Sequence, residues 1–274
     1  MERKLKMALL DMNAGRANQG MRCIREIAHI YEHEFDITEF DVRVTNEVPD
    51  MRFDVYISSG GPGNPLEGNG IWDKKWYDLV DKLWLYNQEN ADSKKYMFFV
   101  CHSFQMACHH FQLGEITKRK STSFGIMPVH KTKFGEIDPI FSSLPDPFYA
   151  VDSRDWQLVQ PDLTVFQKHG ARILALEKIR THVEYERAIM AVRFSKEFIG
   201  TQFHPEADAE GMLQHFSKED IRNQVIENFG LEKYNDMMEH LNDPDKIELT
   251  HRTILPSFIE NALDSIYAQS LVSV

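Results

Sequence analysis

Cys101 stands between a short apolar run at residues 95–100 (KYMFFV) and a helical stretch at residues 103–111. A side chain at such a junction projects from the C-terminal edge of a sheet, where open α/β folds bind ligands. The amides that open the next helix favour the thiolate, which is the reactive form of cysteine. The pattern predicts a nucleophile, although a lone cysteine after a buried strand is more often a core residue.

His204 and Glu206 form a second candidate pair, two residues apart and directly after the apolar run 198–203 (FIGTQF). In an extended chain, residues at this spacing point to the same side. Glu206 would then orient the imidazole of His204, and His204 would take the proton of Cys101, as in nucleophile–base–orienter triads. A histidine and a glutamate at this spacing also occur by chance on many surfaces.

A glycine-rich loop, SSGGPGNP at residues 58–65, follows the strand-like run 53–58. Its glycines allow the backbone to approach a ligand closely. An amide of this loop and the amide of His102 would together bind the oxyanion of a tetrahedral intermediate. The alternative is an ordinary turn, which is the usual role of Gly-Pro segments.

A fold must bring these three motifs together at one edge of a sheet. The pattern of the first 115 residues predicts such a fold. Strand-like and helical segments alternate there, which is typical of a doubly wound α/β fold with a mostly parallel sheet, a flavodoxin-like start and helices on both faces. The predicted strands are residues 5–11, 35–44, 53–58 and 95–100, and the predicted helices are residues 19–32, 72–87 and 103–111.

Beyond residue 115 the pattern changes. Short β-like segments between residues 115 and 206 predict an antiparallel portion of the sheet, and residues 207–274 are helical and acidic. We therefore expect one α/β domain over residues 1–207 and an acidic helical C-terminal extension, residues 208–274, packed on it. Pro256 is expected in the first turn of the last helix, where proline is tolerated.

Composition limits the classes of partner. The net charge is −11, and residues 208–274 alone contribute −8, with thirteen acids and five bases. Nucleic-acid backbones select clustered lysine and arginine, so we expect no nucleic-acid partner. We also expect no membrane partner, because no apolar run approaches the roughly 20 residues that span a bilayer. The short apolar stretch near the N-terminus ends at Asp11, which argues against a signal peptide.

The three cysteines, Cys23, Cys101 and Cys108, are sparse and include no C-x-x-C pair. This argues against a disulfide framework and against a zinc site, and favours a reducing, cytoplasmic location. We predict no metal and no cofactor.

Taken together and in this order, the motifs resemble those of the class I glutamine amidotransferases, the triad family that includes the glutaminase part of GMP synthetase. The matching segments are GGPGNP (60–65), VCHSFQ (100–105) and QFHPE (202–206), with a similar LLDMNAG at residues 9–15. The resemblance extends over residues 5–207, and QFHPE is its most specific part.

The resemblance implies roles for individual residues. Cys101 would attack the glutamine carboxamide and form a γ-glutamyl thioester, with His204 as general base and Glu206 holding the imidazole. The amides of Gly61 and His102 would form the oxyanion hole. Gly60, Gly63 and Gln105 would contact the substrate.

The sequence departs from the family's Gly-x-Cys-x-Gly-x-Gln elbow, because Phe99 and Ser103 occupy the two glycine positions. We expect Ser103 to be tolerated, whereas Phe99 needs a pocket on the sheet. The expected partners are glutamine or another γ-glutamyl amide, and a separate synthase subunit that uses the ammonia; a homodimer stays open.

Two alternatives use the same fold. One is a stand-alone γ-glutamyl hydrolase or peptidase, and the other is a non-catalytic regulatory module, because fold does not guarantee function.

Overall fold

The computed structural model describes residues 4–179 and 186–272. The described residues form nine strands and nine helices. The strands are β1 Leu5–Asp11, β2 Phe35–Asp41, β3 Val55–Ser58, β4 Tyr96–Val100, β5 Glu115–Lys131, β6 Phe148–Val159, β7 Arg172–Glu177, β8 Ile189–Arg193 and β9 Phe198–Thr201. The helices are α1 Gln19–Ile30, α2 Trp72–Glu89, α3 His102–His110, α4 Lys133–Ile137, α5 Leu163–His169, α6 Ala209–Phe216, α7 Glu219–Phe229, α8 Leu231–Leu241 and α9 Ile247–Val272.

All nine strands belong to one sheet in the order β2-β1-β3-β4-β9-β8-β7-β5-β6. The first five strands are mutually parallel, and the remaining neighbours pair antiparallel. The predicted α/β class with a parallel start is confirmed. The antiparallel part lies within the predicted range, and β5 and β6 pair over most of their length despite their many charged and hydroxyl side chains.

The period-2 alternation of the parallel strands builds two cores, one on each face of the sheet. On β1, Met7 and Leu9 point into the first core, whereas Ala8 and Leu10 point into the second. Helices α1 and α9 cover the first face, and α2 and α3 cover the second. This layering places the C-terminal ends of β3, β4 and β9 at one edge, where the candidate site lies.

The acidic C-terminal segment packs on the outer face of the β5–β6 hairpin. A third apolar cluster joins Ile126 of β5 to Met212, Val225 and Met237 of the helices α6, α7 and α8. The division into residues 1–207 and 208–274 stays a prediction.

Pro256 was expected in a first helical turn, and this expectation is wrong. The proline lies inside α9, which begins nine residues earlier. The buried side chains of Ile254, Leu255 and Phe258 anchor the helix on both sides of Pro256, so tertiary packing outweighs the missing N–H. Within the described ranges, no helix combines the length and apolar character needed to cross a membrane.

Candidate active site

Cys101 occupies the turn between β4 and α3, as the sequence predicts. Its backbone has φ 48° and ψ −98°, a conformation that L-residues rarely adopt. The turn is held on both sides, because the Cys101 amide donates to the carbonyl of Thr201 at 2.7 Å and the Cys101 carbonyl accepts from the amide of Gln105 at 3.0 Å. A strained residue at a strand-to-helix turn is the arrangement of a nucleophile elbow.

Both departures from the glycine elbow are accommodated. Phe99 is fully buried among the rings of Trp76, Phe194 and Phe198, with centroid distances of 5.7, 5.5 and 5.9 Å. Gly200 faces it on the neighbouring strand, where an added Cβ would lie 2.9 Å from the Cβ of Phe99. The carbonyl oxygen of Phe99 and the ring of Phe104 are equally close to this position, so the two strands and α3 pack too tightly there for any residue but glycine at 200.

Ser103 takes part in the turn itself. Its hydroxyl donates to the carbonyls of Ser58 at 2.7 Å and Val100 at 3.0 Å, and accepts from the amide of Val100. The serine thus fastens the elbow to the end of β3.

His204 and Glu206 follow β9 and form a close pair. Nδ1 of His204 lies 2.8 Å from Oε1 of Glu206, with the imidazole 20% exposed and the carboxylate 1% exposed. Residues 202–207 form a bend and a turn rather than the extended strand assumed from the spacing. The pair is positioned because the amide of His204 donates to the carbonyl of Val151 on β6, at 2.8 Å.

Gly60 lies against both His204 and Cys101. A Cβ built on Gly60 would be 2.8 Å from Cε1 of His204 and 3.4 Å from the Cβ of Cys101. The fold therefore brings together the thiol, the imidazole and the glycine loop, although more than a hundred residues separate the thiol and the imidazole in the chain.

The electrostatics of this cluster favour a protonated imidazole. Burial acts against the charged ring, but the charge of Glu206, and after it the charge and hydrogen bond of Cys101, raise the pKa of His204 well above its usual value. A protonated imidazole next to the sulfur can act as the acid that a leaving group needs.

The glycine loop is held close to β1. A Cβ on Gly61 would lie 2.2 Å from the carbonyl oxygen of Met12, so only glycine fits there. Arg43 donates to the carbonyls of Met12 and Pro62, at 3.2 and 2.6 Å, and thereby clamps the loop. Gly63 has a φ of 97° and continues the turn.

His102 is the first residue of α3, and the first amides of a helix have no partner within the helix. Its amide is thus available at the elbow, as expected. The side chain is buried, and burial, with a smaller contribution from the charge of Arg43, lowers the pKa of His102 to about 3. The ring is therefore neutral and does not compete with His204 as a base.

The amide nitrogen of Gln105 is bonded within the protein. Its Nε2 donates to the carbonyl of Trp156 at 3.0 Å and to Oε1 of Gln202 at 2.9 Å. Nε2 of Gln202 in turn lies 3.7 Å from Sγ of Cys101. Gln202 is therefore a site residue that sequence reasoning missed, although it opens the QFHPE motif that was recognised.

Glu206 has two further neighbours that the sequence did not indicate. A Cβ on Gly20, in the first turn of α1, would be 2.9 Å from Oε1 of Glu206, so the positive end of that helix faces the carboxylate. Nδ1 of His251, on α9, lies 2.8 Å from the backbone carbonyl of Glu206. Sequence spacing could not predict this contact, because His251 lies 45 positions after Glu206 in the chain.

These groups line one cleft of about 760 Å³. Its walls include Gly60, Gly61, Gly63, Cys101, His102, Gln105, His204 and Glu206, so the cleft contains every residue that the sequence assigned to the site. Asn13 and Arg16 of the β1–α1 loop and Met212 and Phe216 of α6 complete it.

The chain was compared with family models and with known proteins. The family model described as glutamine amidotransferase class-I matches residues 21–223. No curated protein is similar enough in sequence to match the chain.

Among solved structures, a glutamine amidotransferase from Thermotoga maritima has a TM-score of 0.70 and 13% identity, covering 96% of this chain and 100% of that one. A glutamine amido transferase from Methylobacillus flagellatus has a TM-score of 0.64 and 13% identity, with 97% and 94% covered. The glutaminase domain of the CTPS of Trypanosoma brucei, with bound acivicin, has a TM-score of 0.54 and 14% identity, with 74% and 86% covered. At these identities the structures show the shared fold. Together with the family match over most of its length, they show that this chain belongs to the class-I glutamine amidotransferases.

Proposed function

We propose that the chain hydrolyses the side-chain amide of glutamine through a γ-glutamyl thioester on Cys101. The observation that supports the proposal is that Gly60 lies against both Cys101 and His204, and that Nδ1 of His204 is 2.8 Å from Oε1 of Glu206. Membership of the class-I family supports the same reaction.

In the first half of the reaction, the sulfur of Cys101 attacks the amide carbon, and the developing oxyanion is held by the amides of Gly61 and His102. His204 receives the thiol proton and gives it to the leaving nitrogen, so the C–N bond breaks and ammonia departs. Glu206 keeps the imidazole oriented and stabilises its charge. In the second half, water attacks the thioester with His204 as base and releases glutamate.

The residues around the three catalytic candidates position the sulfur and bind the substrate. Gln202 holds its amide toward the sulfur, and Gln105 fixes Gln202 and the carbonyl of Trp156. The glycine loop at residues 60–63 lies beside the nucleophile, where the carboxamide of the substrate would bind. Members of this family work with a separate synthase domain or subunit, and we propose that such a partner takes up the ammonia.

The proposal is preferred to a non-catalytic regulatory module for an electrostatic reason. Glu206 raises the pKa of His204, and Cys101 adds to this effect. Burying charge costs free energy unless the groups are well paired, and a half-buried imidazole held 2.8 Å from a buried carboxylate, beside a thiol, is the arrangement that a catalytic base requires.

Intact-mass spectrometry after incubation with glutamine tests the proposal. We expect a γ-glutamyl adduct on Cys101 and release of glutamate and ammonia, both abolished in Cys101→Ala. Cys108→Ala is the matched control, because that thiol is fully buried in the same helix away from the cleft. Glutamate release that persists in Cys101→Ala would contradict the proposal.

A further inference from the structure

Helix α6 forms a wall of the cleft immediately beyond His204. The chain passes from His204 through Glu206 and Ala207 into α6, and Met212 and Phe216 of this helix line the same cleft as Cys101. A cleft of about 760 Å³ lies in the size range of sites that hold drug-sized ligands. Free glutamine is much smaller, so most of the space beyond the nucleophile is left for another group.

Part of the extra space has an apolar and aromatic lining. This part includes Ala207, Met212 and Phe216 on one side, and Phe124 and Val151 of the β5–β6 hairpin on the other, whereas Arg16, Asp155 and Lys218 line other parts of the cleft. The rings of Phe124 and Phe216 pack edge to face, with centroids 5.9 Å apart and planes at 83°, and Phe229 stacks on Phe124. The packed rings therefore present an apolar surface against which an aromatic group can bind. Ammonia has no apolar surface to bury there.

The wall is fixed to the rest of the site. Arg22 of α1 forms an ion pair with Asp208, the N-cap of α6, and Gln19 lies 3.5 Å from Nδ1 of His215. Gly211 allows this approach, because a Cβ there would lie 2.1 Å from the guanidinium of Arg22. The space is therefore formed before a ligand arrives, which reduces the entropic cost of binding.

The His215 ring of α6 adds no charge to the cleft. Burial, and after it the charge of Lys218, lowers the pKa of His215, so its ring is neutral at neutral pH. Lys218 lies beyond the end of α6 and lines the same cleft.

The position of His204 decides which part of a substrate enters this space. The imidazole gives its proton to the leaving nitrogen, so the leaving group must lie on the His204 side of Cys101. We propose that the site also cleaves γ-glutamyl amides whose nitrogen carries an aromatic or bulky apolar substituent, with this substituent bound against the apolar surface formed by Met212, Phe216 and Phe124. The inference rests on the thioester chemistry proposed above.

The reaction balances without any co-reactant other than water. Sγ of Cys101 forms a bond to the γ-carbonyl carbon, the C–N bond breaks, and the substituted amine leaves with the proton from His204. Water then attacks the thioester, the C–S bond breaks, and glutamate and the free thiol are restored.

The test compares three substrates that differ only in the leaving amine: glutamine, γ-glutamyl methylamide and γ-glutamyl benzylamide. All three amines are aliphatic or ammonia, so their reactivity as leaving groups is similar. We expect kcat/KM for the benzylamide to exceed that for the methylamide by about tenfold or more, because a phenyl ring buries a large apolar area. A benzylamide turned over no faster than the methylamide would overturn the inference.

Variants of α6 test whether this helix causes the preference for the benzylamide. Phe216→Ala and Met212→Ala should each lower the benzylamide-to-methylamide ratio by about fivefold to tenfold, whereas Phe134→Ala, a phenylalanine 47% exposed on α4, should leave the ratio unchanged. Should Phe216→Ala fail to fold, Phe216→Leu and Met212→Ala decide the question. An unchanged ratio in the folded variants would overturn the assignment of the wall.

The two proposals fail in different ways. Glutamine turnover that depends on Cys101, combined with no preference for the benzylamide, removes only the inference about the leaving group. Absence of a Cys101 adduct with all three substrates removes the proposed function itself.

Discussion

Nδ1 of His204 and Oε1 of Glu206 are 2.8 Å apart, and the carboxylate that holds the imidazole is almost completely buried. The other carboxylate oxygen, Oε2, has no hydrogen-bond partner among the described residues. A poorly solvated carboxylate exerts its charge on the imidazole with little screening. The charge of Glu206 is therefore the largest of the effects that raise the pKa of His204.

We expect Glu206→Gln to move the alkaline limb of the kcat/KM profile to lower pH. The pKa of His204 is raised in the folded protein, so its proton is present at low pH and is lost as the pH rises through that raised value. Removing the charge of Glu206 lowers this pKa. Protonated His204, the acid for the leaving nitrogen, is then lost at a lower pH. We also expect kcat to fall by about 100-fold.

The measurement is a pH–rate profile of glutamate release for both proteins. The same linkage predicts that His204 stabilises the folded state fully below its unfolded pKa of about 6.5, and that this contribution disappears as the pH rises through the folded pKa. Identical alkaline limbs in the two proteins would contradict the role of Glu206.

Gly60→Ala should leave the fold intact and strongly reduce activity. The added Cβ would lie 2.8 Å from Cε1 of His204, which is closer than real contacts of this kind. The imidazole must then move away from the sulfur, and displacements of about 1 Å at a reacting centre can cost about 100-fold in rate. Steady-state kinetics with circular dichroism check this expectation, and wild-type kcat in a folded variant would refute it.

His251 is expected to act as a positioning residue for the triad from the C-terminal helix α9. Its ring bonds the backbone carbonyl of Glu206 at 2.8 Å. In His251→Ala this carbonyl loses its partner, which costs about 1 kcal/mol and loosens the turn that carries Glu206. We expect a lower kcat, little change in KM, and an alkaline limb shifted toward lower pH.

His251→Asn keeps an N–H donor near the position of Nδ1 and should restore much of the activity. Arg252→Ala is the control on the same helix, because that side chain is 75% exposed. A merely structural role of His251 would lower stability in both His251 variants without changing the pH profile.

Phe99→Ala should destabilise the protein by about 3–5 kcal/mol, the usual loss for a large aromatic residue in a core. Phe99 is fully buried and contacts three aromatic rings, so truncation leaves a cavity beneath the elbow. Urea unfolding measures the difference, with the exposed Phe134→Ala expected to change stability by about 0.5 kcal/mol or less. A loss below about 1 kcal/mol would show that the site collapses around the smaller residue.

The local sequence was sufficient for much of the framework. Short apolar runs such as residues 96–100 predict buried strands in an α/β pattern, and helix periodicity located α1 and α2 to within two residues. The hairpin strand β6 was missed because Asp152 and Arg154 are buried as an ion pair. Their burial depends on mutual pairing, which hydrophobic periodicity does not register.

The candidate triad illustrates the same division between sequence and structure. The residue types at 101, 204 and 206, with their spacing and the glycine loop, were sufficient to predict that these residues lie in one cleft, which the structure shows. Only the tertiary structure decided that Gln202 faces the sulfur, that His251 supports Glu206, and that α6 closes the cleft beyond His204. These contacts join residues far apart in the chain, so their existence depends on how the sheet edge and the C-terminal helices pack together.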